Sequence, residues 1–266
     1  MMYWIYDIPV WLLGICTIML FIAVSLLGLV VSREWIYQKM HLSDESNEAI
    51  NGYFAGVGVL YGLLLGLVAV AAWGNFENVE DIANKESASI AALYRDVSAL
   101  DQPAKKELQQ ELEKYTRHVK EVDWPVHQKG ETTSGGSLIL SEFHRHLGNY
   151  HPQSIEQQIL MTEAVSAFNK LIEVRRARLS AVNTGIPAVF WVTILLGTFF
   201  NIALSFFFHV SSFRTHMVLT TVYAGFLGSA IFLIMALDHP FRGDFSVSPD
   251  AYVSLLERLE DLDPVQ

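Results

Sequence analysis

The chain has 266 residues, of which 52% are apolar and 17% charged, with a formal net charge of −10. Acidic residues outnumber basic ones by 28 to 18, which argues against a nucleic-acid partner, because phosphate binding needs basic surface. A single cysteine, Cys16, excludes an intrachain disulfide and leaves no thiol pair for redox chemistry.

Residues 9–31, 53–73, 182–208 and 217–237 form four long stretches without Asp, Glu, Lys or Arg. A helix needs about 20 apolar residues to cross roughly 30 Å of hydrocarbon, where no water satisfies exposed backbone groups. Four spans are therefore predicted. The first lacks a basic leader and is too long for a signal-peptide core, so it reads as a retained anchor. The lack of Asp, Glu, Lys and Arg inside the spans argues against proton-coupled pumps and carriers. Arg33, Lys39 and Arg214 flank one side of the spans, against Lys85, Arg175, Arg176, Arg178 and Arg242 on the other. That bias places both termini and the central segment in the cytoplasm.

The second span carries Gly58, Gly62 and Gly66 at four-residue spacing, a pattern that lets another helix approach closely. Rotated about 100° from it, Val59, Leu63 and Leu67 form a parallel aliphatic stripe. Were subunits to ring an axis, such a stripe would make an apolar constriction that gates ions by dewetting. Its alternative is ordinary lipid or helix contact.

Between the second and third spans, Phe76, Val79, Ile82, Ala83, Ile90, Leu93, Tyr94, Val97 and Leu100 recur at helical spacing, which predicts a helix that continues the second span. Pro103 opens another amphipathic run through Leu108, Leu112, Tyr115, Val119 and Val122, stopped by Trp124-Pro125. Residues 128–152, rich in Gly, Ser and Thr, read as a loop or short broken helices. Residues 154–180 are again amphipathic, with Ile155, Ile159, Leu160, Ala164, Ala167, Phe168 and Leu171 in the stripe, and feed directly into the third span. There Pro187 starts a helix and Trp191 anchors at the headgroups. Asn201 is the span residue most costly to bury and is expected to hydrogen-bond across helices.

After the fourth span, Asp238, His239, Pro240 and Phe241 begin a sharp turn, which Phe241 and Phe245 are expected to pin, and an acidic tail follows. The predicted organisation is thus a hairpin of spans over 1–75, an extramembrane helical domain over 76–181, a second hairpin over 182–237, and a turn and acidic tail over 238–266. The fold class is all-α, with four spans and long amphipathic helices between the second and third. His144, His146 and His151 match no zinc spacing. No nucleophile elbow, phosphate loop or paired-carboxylate motif is present, so neither enzyme activity, cofactor nor metal is expected.

With these residues in hand, the chain resembles the bestrophin-like family of bacterial membrane proteins, formerly described only as a domain of unknown function. The resemblance rests on the Gly62–Gly66 run, the Leu93-Tyr94 pair, the segment from Tyr115 to Trp124-Pro125, the run from Arg175 to Leu179 before Pro187 and Trp191, and Asp238-His239-Pro240-Phe241. More distantly it is similar to true bestrophins, whose second span supplies an apolar neck. That likeness places Leu63 and Leu67 at the neck and Val59 one turn earlier. Pro240-Phe241-Arg242-Gly243-Asp244 partly resembles the turn before the animal calcium clasp. Its run of acids is missing here, and one or two carboxylates cannot furnish the six to eight oxygens calcium takes. The resemblance implies a multi-pass protein of the bacterial inner membrane. Its partners would be the lipid bilayer, further copies of itself in a pentameric ring, and inorganic ions. The alternative is a non-conducting scaffold or sensor whose extramembrane helices bind a partner.

Overall fold

The protein, described by a computed structural model over residues 3–40 and 42–262, is helical, and no strand occurs among the described residues. A 3-10 turn (Tyr3–Asp7) precedes α1 (Val10–Met40) and α2 (Ser46–Val97). Then come α3 (Ala104–His118), a π-helical turn (Val119–Asp123), α4 (Trp124–His127) and α5 (Gly135–Gly148). After them run α6 (Ile155–Ala181), α7 (Ala188–Ser205), α8 (Phe213–Leu237) and α9 (Asp250–Leu262). Of these, α1, α2, α7 and α8 are long and apolar enough to cross a membrane. The chain forms two compact units. Met1–Asn75, Gly185–Asp238 and Gly243–Phe245 make the first, and Phe76–Thr184, His239–Arg242 and Ser246–Gln266 the second.

In the first unit α1 packs along α8. Gly228 makes this approach possible, since a Cβ there would stand 3.1 Å from the Ile18 Cα. The interior of this unit gathers Tyr61, Leu65 and Val68 of α2, Ile194 of α7, and Leu227, Ile231 and Ile234 of α8. At one end the α7–α8 loop is tied down by polar side chains, because loop backbone near hydrocarbon needs partners. Asn47 exchanges two hydrogen bonds with the His209 backbone, at 2.9 and 2.8 Å, and the Tyr37 hydroxyl donates to the Phe208 carbonyl at 2.8 Å. The third span starts later than expected. Residues 182–187 are non-helical, because Pro187 supplies no N–H and restricts the residue before it, so α6 does not feed directly into α7.

The second unit is built on the apolar rows anticipated from periodicity. Val79, Ala83, Ile90, Leu93 and Val97 of α2 pack with Leu108, Leu112 and Tyr115 of α3, and with Ala164, Phe168 and Leu171 of α6. Three expectations are corrected here. Residues 135–148 form a full helix, α5, whose Ile139, Leu140, Phe143 and Leu147 enter the core, with Phe143 stacked on Phe168 at 5.3 Å. The first turns of α6 leave the core, with Ile155 78% and Ile159 58% exposed. The stretch read as an acidic tail folds as α9, burying Tyr252, Leu255 and Leu259, while residues 263–266 lie outside the described residues.

Candidate functional site

Three groups of residues carry functional interest, and the first lies on α2. Val59, Leu63 and Leu67 share one face and are 72%, 61% and 62% exposed. Apolar side chains that project this far from a spanning helix need lipid or another protein to cover them. Gly62 and Gly66 are exposed beside them, and a Cβ at either would meet nothing within 4 Å. Gly58 behaves differently. It is half-buried, and a Cβ there would stand 4.0 Å from Asn201 Oδ1. Of the three glycines only Gly58 comes up against another helix, so they are not one packing stripe within the chain.

The opposite face of α2 is held by polar contacts. Tyr61 is buried against α7, its hydroxyl 3.0 Å from the Ile194 carbonyl and 2.5 Å from Thr198 Oγ1. Asn201 is fully buried, donates to the Gly197 carbonyl at 2.9 Å and accepts from the Tyr223 hydroxyl of α8 at 3.0 Å. The hydrogen bond across helices expected of Asn201 is thus made. These contacts satisfy groups that hydrocarbon would otherwise leave unpaired.

The second group follows the last span, and its members part company. Asp238, 2% exposed, lies in the first unit and accepts from Ile186 N at 2.5 Å, Trp191 Nε1 at 3.1 Å and the Tyr6 hydroxyl at 3.2 Å. Trp191 therefore engages a carboxylate through its indole nitrogen. His239, Pro240 and Phe241 belong to the second unit, where Phe241 is buried with its ring 5.3 Å from Trp124 and 5.5 Å from His127. The Pro240 carbonyl accepts from Val247 N at 2.8 Å, which closes the turn. Phe241 is the residue that pins it, whereas Phe245 is 46% exposed. Gly130 adopts a φ of +77°, and a side chain there would overlap the Arg242 guanidinium, which donates to the Lys129 carbonyl at 2.9 Å.

The third group was not singled out from sequence. Arg178, Glu86 and Asp123 are fully buried in the second unit. Arg178 reaches Glu86 through Nε at 2.7 Å and Asp123 through a terminal nitrogen at 3.2 Å, and its other terminal nitrogen donates to His127 Nε2. The Tyr115 and Tyr252 hydroxyls donate to Glu86 at 2.5 and 3.1 Å, and Thr133 donates to Asp123. The π-helical turn delivers Asp123 to this cluster, since its extra residue per turn rotates the following residues away from α-helical phase. The Trp124 N–H bonds to the Val119 carbonyl five residues back, so Pro125 follows without breaking the helix.

Burial opposes the Arg178 charge, but the facing Glu86 carboxylate more than offsets it and holds the guanidinium protonated. Burial, and then the Glu86 charge, push both tyrosines well above the usual phenol range, so they stay neutral donors. His127 is pushed down from the ordinary histidine value by burial and then by Arg178. It accepts from Arg178 through Nε2, which leaves Nδ1 to donate to the Glu131 carbonyl at 3.0 Å. A signal was present in the sequence. Glu86 sits between Ala83 and Ile90 on the apolar stripe of α2, and Arg178 between Leu171 and Ala181 on that of α6. A charge on a buried stripe calls for a buried partner.

Among the described residues, no three His, Cys, Asp or Glu side chains converge as metal ligands. His144 lies over Phe168, with ring centroids 5.1 Å apart, His146 meets Arg145, and His151 turns to the Asn149 carbonyl.

Four long apolar helices and a helical second unit define a multi-span α-helical membrane protein. The sequence matches the bestrophin-like domain over residues 19–252, and the chain belongs to that family. Its fold is that of a bacterial bestrophin homologue from Klebsiella pneumoniae, at a TM-score of 0.69 and 14% identity, covering 95% of this chain and 99% of that one. A single-substitution variant of the Klebsiella protein gives the same values. A further crystal structure, of a membrane protein, matches at a TM-score of 0.68 and 14% identity over 94% of this chain and 98% of its own. No curated protein sequence matches the chain.

Proposed function

We propose that the chain assembles into a homo-oligomeric ring, a pentamer, that conducts inorganic ions across the bacterial inner membrane. In this reading α2 lines the passage, and Val59, Leu63 and Leu67 form an apolar neck that gates by dewetting. Both termini and the second unit lie in the cytoplasm.

The observation that carries the proposal is the split character of α2. One face is fixed to α7 through Tyr61, while the other presents Val59, Leu63 and Leu67 beside Gly62 and Gly66, where an added Cβ would meet nothing within 4 Å. Glycine beside an exposed aliphatic row favours close approach of a second helix, which a lipid-facing surface does not need. Membership of the bestrophin-like family and the likeness to bacterial bestrophin homologues support the same reading.

The rival is a non-conducting scaffold whose helices bind a partner. It draws on Ile155 and Ile159, which are 78% and 58% exposed on α6. Reconstitution into a planar bilayer separates the two. The channel reading expects currents from the parent protein and altered conductance in Leu63→Ala, whereas electrical silence in all ionic conditions favours the scaffold.

A further inference from the structure

A neck made by exposed aliphatic side chains works only if the helix bearing them is held at one rotation. A turn of α2 by a single residue's phase, about 100°, would replace Val59 and Leu63 with Leu60 and Leu64. Apolar packing alone is a poor guard against this, since it has little directionality. Hydrogen bonds in hydrocarbon are better suited, because a polar group that loses its partner there costs several kcal/mol.

Such bonds stand behind the exposed row. Tyr61 projects about 160° from both Val59 and Leu63, so it marks the back of the helix. Its ring lies on Gly197, where a Cβ would stand 2.5 Å from the ring carbons Cδ2 and Cε2. The Tyr61 hydroxyl reaches Thr198 Oγ1 at 2.5 Å and the Ile194 carbonyl at 3.0 Å, and Thr198 is itself 2.8 Å from that carbonyl. One turn earlier, Gly58 brings the α2 backbone up to Asn201, whose amide is fixed by Gly197 of α7 and Tyr223 of α8. Phe54 closes the same side, with its ring 5.2 Å from Tyr223 and 5.4 Å from Phe208.

We propose that Tyr61 and Thr198, backed by Asn201 and Tyr223, are positioning residues that lock the rotation of α2 and so decide which side chains form the neck. This rests on the channel reading and adds to it the device that sets the constriction. Tyr61→Phe keeps the ring on Gly197 and removes only the donor.

The test uses cysteine accessibility in the reconstituted full-length protein. Cys16, the native cysteine, is first replaced by serine, and single cysteines are placed at Val59, Leu60, Leu63, Leu64 and Leu67. Their modification by a membrane-impermeant thiosulfonate is timed. In the parent, positions 59, 63 and 67 are expected to react fast and 64 slowly, with 60, which is 70% exposed and about 20° in helical phase from Leu67, intermediate. Tyr61→Phe and Thr198→Val should each shrink that contrast by about tenfold, the effect of losing one buried hydrogen bond. Thr198→Ser should restore it. A merely structural role would lower melting temperature and leave the pattern of reactive positions untouched. Contrast in the parent that survives both Tyr61→Phe and Thr198→Val overturns this inference alone. No contrast in the parent overturns the channel reading and this inference with it.

Discussion

Arg178 is the residue on which the second unit turns. Its guanidinium serves Glu86, Asp123 and His127 at once, and the planar five-donor fork of arginine suits three partners in a way a lysine ammonium does not. Removing one member of a buried ion cluster strands the rest, which costs about 3–5 kcal/mol. Arg178→Ala is therefore expected to lower the melting temperature of the second unit and to raise hydrogen exchange in α3 and α6, with Arg178→Lys giving little rescue. A second prediction concerns pH. The native His127 binds its proton less readily than it would unfolded, because burial and Arg178 disfavour the imidazolium. The contribution of His127 to stability is fully present above the unfolded histidine value of roughly 6.5 and is lost as pH falls through the lower native one. Denaturant midpoints measured between pH 7.5 and 5 should fall with acidification, and the fall should be shallower in His127→Gln. A slope unchanged by that substitution contradicts the assignment.

At the scale of elements, α2 has one face bonded to α7 and another exposed, and its glycines can be tested separately. A Cβ at Gly62 would meet nothing within 4 Å, and leucine is favoured over glycine in a helix by roughly 0.8 kcal/mol. Gly62→Leu should leave the monomer folded and equally or more heat-stable, yet hinder close approach of a neighbouring copy. Light scattering in detergent is expected to report a smaller assembly than the parent, and an unchanged mass would remove the glycine face from the interface. The spans and the helical rows of the second unit were legible because charge-free length and apolar spacing are strong signals in α1, α2, α3 and α8. Two helices were missed. Gly135 and Gly136 beside Ser134 and Ser137 read as loop, although Ile139, Leu140, Phe143 and Leu147 already recur at helical spacing after them. In α9 the acids stood out, and Tyr252, Leu255 and Leu259 on the other face did not. The π-helical turn left no spacing signal, since its effect is to move Asp123 out of the phase that periodicity assumes. The exposed state of Val59, Leu63 and Leu67 also lay beyond the sequence, because a stripe of aliphatics reads alike whether it meets lipid, a helix or an axis.

For the molecule as a whole, one chain offers an apolar row that its described residues leave largely exposed, and the proposed ring supplies cover by symmetry. Copies arranged about a common axis place identical residues at equal radius, so a row of three aliphatic side chains becomes three stacked apolar collars. The neck then carries no charge, and any preference among ions would arise at its ends. The most direct measurement is an experimental structure of the assembled protein in a lipid nanodisc, read as the distance of each α2 side chain from the symmetry axis. The account expects a closed ring in which Val59, Leu63 and Leu67 are the α2 side chains nearest that axis, with Tyr61 turned away from it. Those three side chains pointing into lipid, or an assembly with no central axis, would contradict it.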